Sequence, residues 1–236
     1  MKIKNIFILI IAFLHISVAC LQAQNHADLA LSTAGKQSTV ALSWTKLYSI
    51  GEKKRFKIGY GARFSSAFHK NVEYVTAPAR LTSGVANPTA MFRDNILANF
   101  DTISFNKAQI NSLNATINLQ YSFHPKFDLG FNIDAIGFSF GKKQVGVYTS
   151  SIYTGGKVTS QTAKPTGFNA LLISDNDNGS LNSEFYARYW LTEKLGIRAG
   201  MVFIFAEYTT DKKLSLDNNR FRNKSSQAML AVSYKF

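Results

Sequence analysis

The stretch SSQAMLAVSYKF, Ser225–Phe236, decides how the rest of the chain is read. Taken in steps of two, Ala228, Leu230, Val232, Tyr234 and Phe236 form an apolar row. Between them stand Gln227, Met229, Ala231, Ser233 and Lys235, a more polar set. A period of two marks a strand with two unlike faces. The same period recurs upstream. Arg55–Phe64 sets Phe56, Ile58, Tyr60, Ala62 and Phe64 against Arg55, Lys57, Gly59, Gly61 and Arg63. Leu113–Phe123, Phe127–Ala135 and Leu195–Phe205 sort in the same way. Strands are therefore expected at Val40–Ile50, Arg55–Phe68, Ala108–Phe123, Phe127–Phe140, Asn182–Leu191, Leu195–Tyr208 and Ser225–Phe236, with a weaker eighth at His26–Gly35. Within Phe127–Phe140 the phase slips after Ala135, where a bulge is expected.

The first residues, MKIKNIFILIIAFLHISVACLQAQ, place Lys2 and Lys4 before an apolar core at Ile6–Ala19. Leu21 and Ala23 then stand ahead of Gln24, which reads as a secretory signal peptide over 1–23 cut at Ala23–Gln24. The core is too short for a spanning helix. An alternative is lipidation at Cys20, although Ser17 occupies the place where a lipobox wants Leu. With the cut, residues 24–236 form one domain with no cysteine and no disulfide. The formal charge of +13 falls to +11 on loss of Lys2 and Lys4. A basic exported chain points to anionic lipid or polysaccharide and away from nucleic acid.

The connections are lopsided. GEKK, HPK and TE are tight turns, whereas residues 69–107, 141–181 and 209–224 are long. Short turns at one end and long loops at the other describe an eight-stranded antiparallel transmembrane β-barrel, with turns in the periplasm and loops outside. Alternation alone does not say which row faces inward; size does. The interior of eight strands is only wide enough to be filled by side chains. Rows of Gly, Asn, Ser and Thr fit it, and rows of Phe, Tyr and Leu overfill it.

The closing AMLAVSYKF, with Leu230, Val232, Tyr234 and Phe236, resembles the C-terminal assembly signal of outer-membrane β-barrel proteins. The overall plan is similar to the small OmpA/OmpX-type barrels of the outer membrane protein beta-barrel family. The resemblance implies residence in the outer membrane as a monomer, in contact with its lipid and lipopolysaccharide. It also implies handling by the barrel-assembly machinery during insertion.

The inward rows carry Arg63, Asp134, Glu184, Arg188, Arg198 and Glu207, expected to pair as a charge network in the lumen. Trp44, Tyr48, Tyr121, Tyr189 and Trp190 are expected in the aromatic girdle where lipid meets water. In the last loop, Lys212, Lys213, Arg220, Arg222 and Lys224 suit the phosphates of lipopolysaccharide. No catalytic, cofactor-binding or metal constellation is expected. His26, His69 and His124 are scattered, and only His69 with Ser65 and Ser66 suggests a lipid-modifying enzyme. SDNDNGS (Ser174–Ser180) lacks the closing Glu of a calcium loop and suits a turn instead. The expected role is non-enzymatic: envelope structure, adhesion or ligand contact through the loops 68–107 and 141–181. The alternatives are a narrow channel, a lipid-modifying enzyme or, with the faces inverted, a soluble lipocalin-like binder.

Overall fold

A computed structural model describes residues 23–151 and 158–236. The expected signal peptide, except Ala23, lies outside these residues, and Cys20 with it. The strands are β1 (Ala23–Ala34), β2 (Gln37–Ile50), β3 (Phe56–Thr76), β4 (Thr102–His124), β5 (Phe127–Phe140), β6 (Gln144–Thr149), β7 (Val158–Pro165), β8 (Phe168–Ala170), β9 (Leu181–Trp190), β10 (Leu195–Thr210) and β11 (Arg220–Lys235). Eight of them, β1, β2, β3, β4, β5, β9, β10 and β11, close an antiparallel ring. The weak first strand makes the closure. Ala27, Leu29 and Leu31 of β1 stand opposite Tyr234, Val232 and Leu230 of β11. In β5 the ladder to β4 skips Ala135: Ala115 faces Ile136 and Thr116 faces Asp134, so Ala135 is the bulged residue.

The outward rows are Leu29, Leu42, Phe64, Ile117, Phe131, Phe185, Ile197 and Leu230 among others, all exposed. Leaving one such side chain in water forfeits about 1.5–3 kcal/mol. Roughly ten of them would outweigh the about 5–15 kcal/mol by which a domain is stable. Lipid must therefore cover this wall. The inward rows hold Ser43, Arg63, Ser65, Asn114, Asn118, Asn132 and Arg198, all buried. The fold is an eight-stranded transmembrane β-barrel with a polar interior.

The long strands do more than span. Crossing a bilayer takes about 9–11 residues, whereas β3 has 21 and β4 has 23. Segments expected as loops are thus partly strand, and their upper parts build a second ring. There β3 pairs with β4, β4 with β6, β6 with β7, β7 with β10, β10 with β11, and β11 returns to β3. This six-stranded cap sits on the barrel at the long-loop end, and its polarity is inverted. Tyr74, Ile103, Phe105, Tyr148, Ala163, Tyr208 and Phe221 point inward and form a buried apolar core. The phase changes where Asn71, at φ 51°, interrupts β3 opposite the Asn106 region of β4. His69 faces inward below the break and Val72 above it. The ring is narrow enough that a Cβ on Gly146 would lie 2.7 Å from Ile103 and 2.8 Å from Phe105.

One buried cluster runs from the cap down into the barrel through Ala206, Ile204 and Val202, but Phe105 lies at its cap end, so the cap should fail first. Phe105→Ala should cost the cap about 3–5 kcal/mol. Limited proteolysis should then cut the long-loop end faster, while the unboiled protein keeps its shifted band in SDS gels. Simultaneous loss of the band shift would show that the two rings are one unit.

Candidate functional site

The barrel lumen is the most strongly charged place in the interior. Asp134 on β5 meets Arg63 on β3 at 3.0 Å, and Arg63 reaches Glu184 on β9 at 3.4 Å. Arg198 on β10 bridges Glu184 at 3.1 Å and Asp28 on β1 at 3.6 Å. Arg188 on β9 completes the series against Asp28 at 3.3 Å. Three cations and three carboxylates thus alternate in one chain, each 3% exposed or less. A charge this deep is tolerable only when its remaining lone pairs and protons are used. Here Asn114 and the backbone N–H of Asn182 donate to Asp134, Asn132 donates to Glu184, and Ser233 donates to Asp28. Arg188 and Arg198 lie over the Tyr186 ring, 5.2 and 4.4 Å from its centroid. That ring occupies the space a side chain at position 130 would take: a Cβ on Gly130 would come 2.2 Å from it.

Five of the six lumen residues singled out by sequence meet in this chain; Glu207 does not. Its neighbours Ala206 and Tyr208 belong to the cap core, so period two turns Glu207 outward. It is nonetheless fully buried, beneath the segment between β8 and β9. Ser180 accepts from its backbone N–H, and Gly179 donates to its carboxylate. Asp28, which the sequence reading left out, takes the empty place among the carboxylates. The alternation His26, Asp28, Ala30, Ser32 against Ala27, Leu29 and Leu31 carries the signal that would have found it.

Of the girdle residues, Trp44, Tyr121 and Tyr189 face outward. Tyr48 contacts Tyr60 on the outer wall, with centroids 6.2 Å apart. Trp190 is a correction. It is 9% exposed and points inward, its Nε1 donating to Asp128 at 2.7 Å and its ring under Arg188. Tyr189 is the outward member of that pair, because neighbours on a strand face opposite ways.

The last loop is also rearranged. Arg220 and Arg222 both bind the carboxylate of Glu207, each at 2.7 Å, and also donate to the carbonyl of Asp177. Lys224 pairs with Asp175, and Lys213 with Asp217 at 2.6 Å. Four of the five cations set aside for lipopolysaccharide are therefore engaged by carboxylates within the chain. SDNDNGS supplies Asp175 and the Asp177 carbonyl, and so works as a clamp holding this segment to β10 and β11. Ser65 bonds Ser112, Ser66 bonds Asn111 and His69 bonds Tyr74, so Ser65, Ser66 and His69 do not assemble.

Polar lumen, apolar outer wall and tight turns at one end meet in one ring. The chain is a small outer-membrane-type β-barrel. No protein-family model matches the sequence, and no curated protein does. Solved structures aligning along nearly the whole chain include Neisserial surface protein A, at 11% identity over 91% of this chain and 96% of that one, with a TM-score of 0.34. The Yersinia pestis outer membrane protein Ail in a phospholipid bilayer nanodisc aligns at 10% identity over 91% and 100%, with a TM-score of 0.36. A major outer membrane protein from Thermus thermophilus aligns at 11% identity over 91% and 100%, with a TM-score of 0.35.

Glu184 is the hinge of the charge chain, because both Arg63 and Arg198 depend on it. Glu184→Gln should leave uncompensated buried charge and cost about 3–5 kcal/mol, read as a lower urea midpoint in detergent micelles. Lys213→Ala, which removes an exposed pair, should change the midpoint by no more than about 1 kcal/mol. Equal effects of the two would mean that the lumen is wet.

Proposed function

We propose that this protein is a sealed, non-enzymatic outer-membrane barrel that acts by contact through its long-loop end. The observation that carries this reading is the double blockage of the axis. The charge chain crosses the lumen, and above it Tyr74, Phe105 and Tyr208 touch one another with ring centroids 4.7–5.3 Å apart. A narrow channel would need a continuous aqueous path, which eight strands seldom leave. In the outer membrane such barrels turn their long loops outward. The expected signal peptide at 1–23 supplies the export route.

The contact role is supported by the segment between β3 and β4. Phe92 is 82% exposed and Leu97 is 76% exposed, at the end of the molecule farthest from the tight turns. Lipid does not cover them there, and apolar surface held in water at a loop is a mark of interaction sites.

Planar-bilayer recording tests the seal. The purified protein should give no steady single-channel steps at any applied voltage, and steps of constant size would replace this reading with a pore. The contact role is read on intact cells. Phe92→Ser with Leu97→Ser should lower adherence to a host-cell layer or autoaggregation without changing the amount of protein in the outer membrane. Unchanged binding by the double variant would move the contact surface elsewhere.

A further inference from the structure

At the tight-turn end the lumen opens into a cavity of about 570 Å³. Five of its lining residues belong to the inward rows: Gln24 on β1, Lys57 on β3, Ser122 on β4, Asp128 on β5 and Trp190 on β9. Hydrogen bonds tie these walls together. Trp190 Nε1 and Ser122 Oγ both donate to Asp128, and Lys57 Nζ donates to Gln24 Oε1 at 3.0 Å. The Trp190 ring has Arg188 5.2 Å from its centroid, so this vestibule ends beneath the charge chain.

Lys57 differs from the other buried cations. It is 7% exposed, yet it takes part in no ion pair found among the described residues, whereas Arg63, Arg188, Arg198 and Arg222 each meet a carboxylate. Asp128 attracts it from beyond pairing distance, and each Asp128 oxygen already accepts a hydrogen bond, one from Ser122 and one from Trp190. Gln24 uses one of the three ammonium N–H groups. With Oε1 assigned by that bond, Gln24 Nε2 donates to no group among the described residues. A buried cation without its partner costs several kcal/mol, so an anion that reaches Lys57 gains by binding. Lys126, Lys235 and Glu193 stand at the mouth; with Lys57 and Asp128 they make three cations against two carboxylates, a net charge of +1.

We propose that the vestibule binds a monoanionic carboxylate entering from the tight-turn side, with Lys57 Nζ and Gln24 Nε2 donating to its oxygens. One negative charge neutralises the lining. A phosphate group, at about −1.5 to −2 near pH 7, would put surplus charge beside the buried Asp128. Pro125, Leu191 and Trp190 offer apolar contact to the carbon skeleton, and the volume falls within the about 300–1,000 Å³ of small-molecule pockets. The carboxylate can belong to a free acid or to the C-terminus of a peptide. In the outer membrane the tight turns face the periplasm, so the occupant arrives from there and not from the side of the long loops.

Trp190 is the reporter, because the chain's other tryptophan, Trp44, lies on the outer wall. The whole protein carrying Trp44→Phe, in micelles of an uncharged detergent, is titrated with hexanoate and with an acetylated tripeptide ending in a free leucine carboxylate. The matching amides serve as uncharged controls. A saturable change in Trp190 fluorescence with both acids and neither amide assigns a general carboxylate site. A response to one acid alone assigns its source. Lys57→Met should weaken binding at least about tenfold, near 1.4 kcal/mol, with the SDS band shift retained, and Lys57→Arg should restore it. The comparison of acid with amide holds in the Lys57 protein even where Lys57→Met lowers the yield of folded barrel. No response to either acid, equal responses to acids and amides, or undiminished binding by folded Lys57→Met overturns the proposal. So does equal weakening by Lys126→Gln with Lys235→Gln, which would mean diffuse attraction to the mouth.

Discussion

Hydrocarbon offers no hydrogen-bond partner to a peptide group, so a sheet that crosses it must have no free edge. In this protein that requirement falls on β1, the strand with the faintest pattern, which pairs with β2 on one side and β11 on the other. Closure by β1 does two things at once. It removes the edge, and it brings Asp28 within reach of Arg188 and Arg198, which would otherwise outnumber the carboxylates around them. The covalent path and the charge balance of the lumen are settled by the same strand.

The long strands pass through two solvents, and their side chains change sides accordingly. Within the bilayer, β3 and β4 turn apolar residues outward to lipid and polar ones inward. Above it, water takes the place of lipid outside, and the same strands turn Val72, Tyr74, Ile103 and Phe105 inward. The switch needs a break in the period, which the strained backbone at Asn71 supplies. The cap is in effect a small soluble barrel grown from the rim of a membrane one. Its aromatic core closes the end that the ion chain leaves polar.

Charge is distributed by the same logic of enclosure. Arginines buried in the lumen or beneath the segment between β8 and β9 are each matched to a carboxylate, since an unmatched charge costs several kcal/mol there, whereas Lys57, near the tight turns, donates to Gln24 Oε1 at 3.0 Å. Cations at the water-facing rim are under no such demand. Those in no ion pair among the described residues stand at both ends, Lys53, Lys54 and Lys126 by the tight turns and Lys36, Lys70 and Lys107 at the long-loop end. The surface suited to contact is one that the closure of the two rings leaves uncovered, the apolar tip at Phe92 and Leu97.

By itself the sequence determined the strands that span the membrane, their number, the bulge at Ala135 and the row that meets lipid. Each of these is written in a local period of two, and the narrow bore of eight strands selects the face. It also named five of the six lumen charges or their neighbours in the row, because inward rows are local too. The tertiary structure alone decided the six-stranded cap, the inward turn of Trp190, the withdrawal of Glu207 from the lumen and the pairing of Arg220 and Arg222. These depend on which strands become neighbours and on where one solvent gives way to another. A run such as Val72–Thr76 is too short to declare its partner, and a lone carboxylate does not say from which side of a wall its arginines will come.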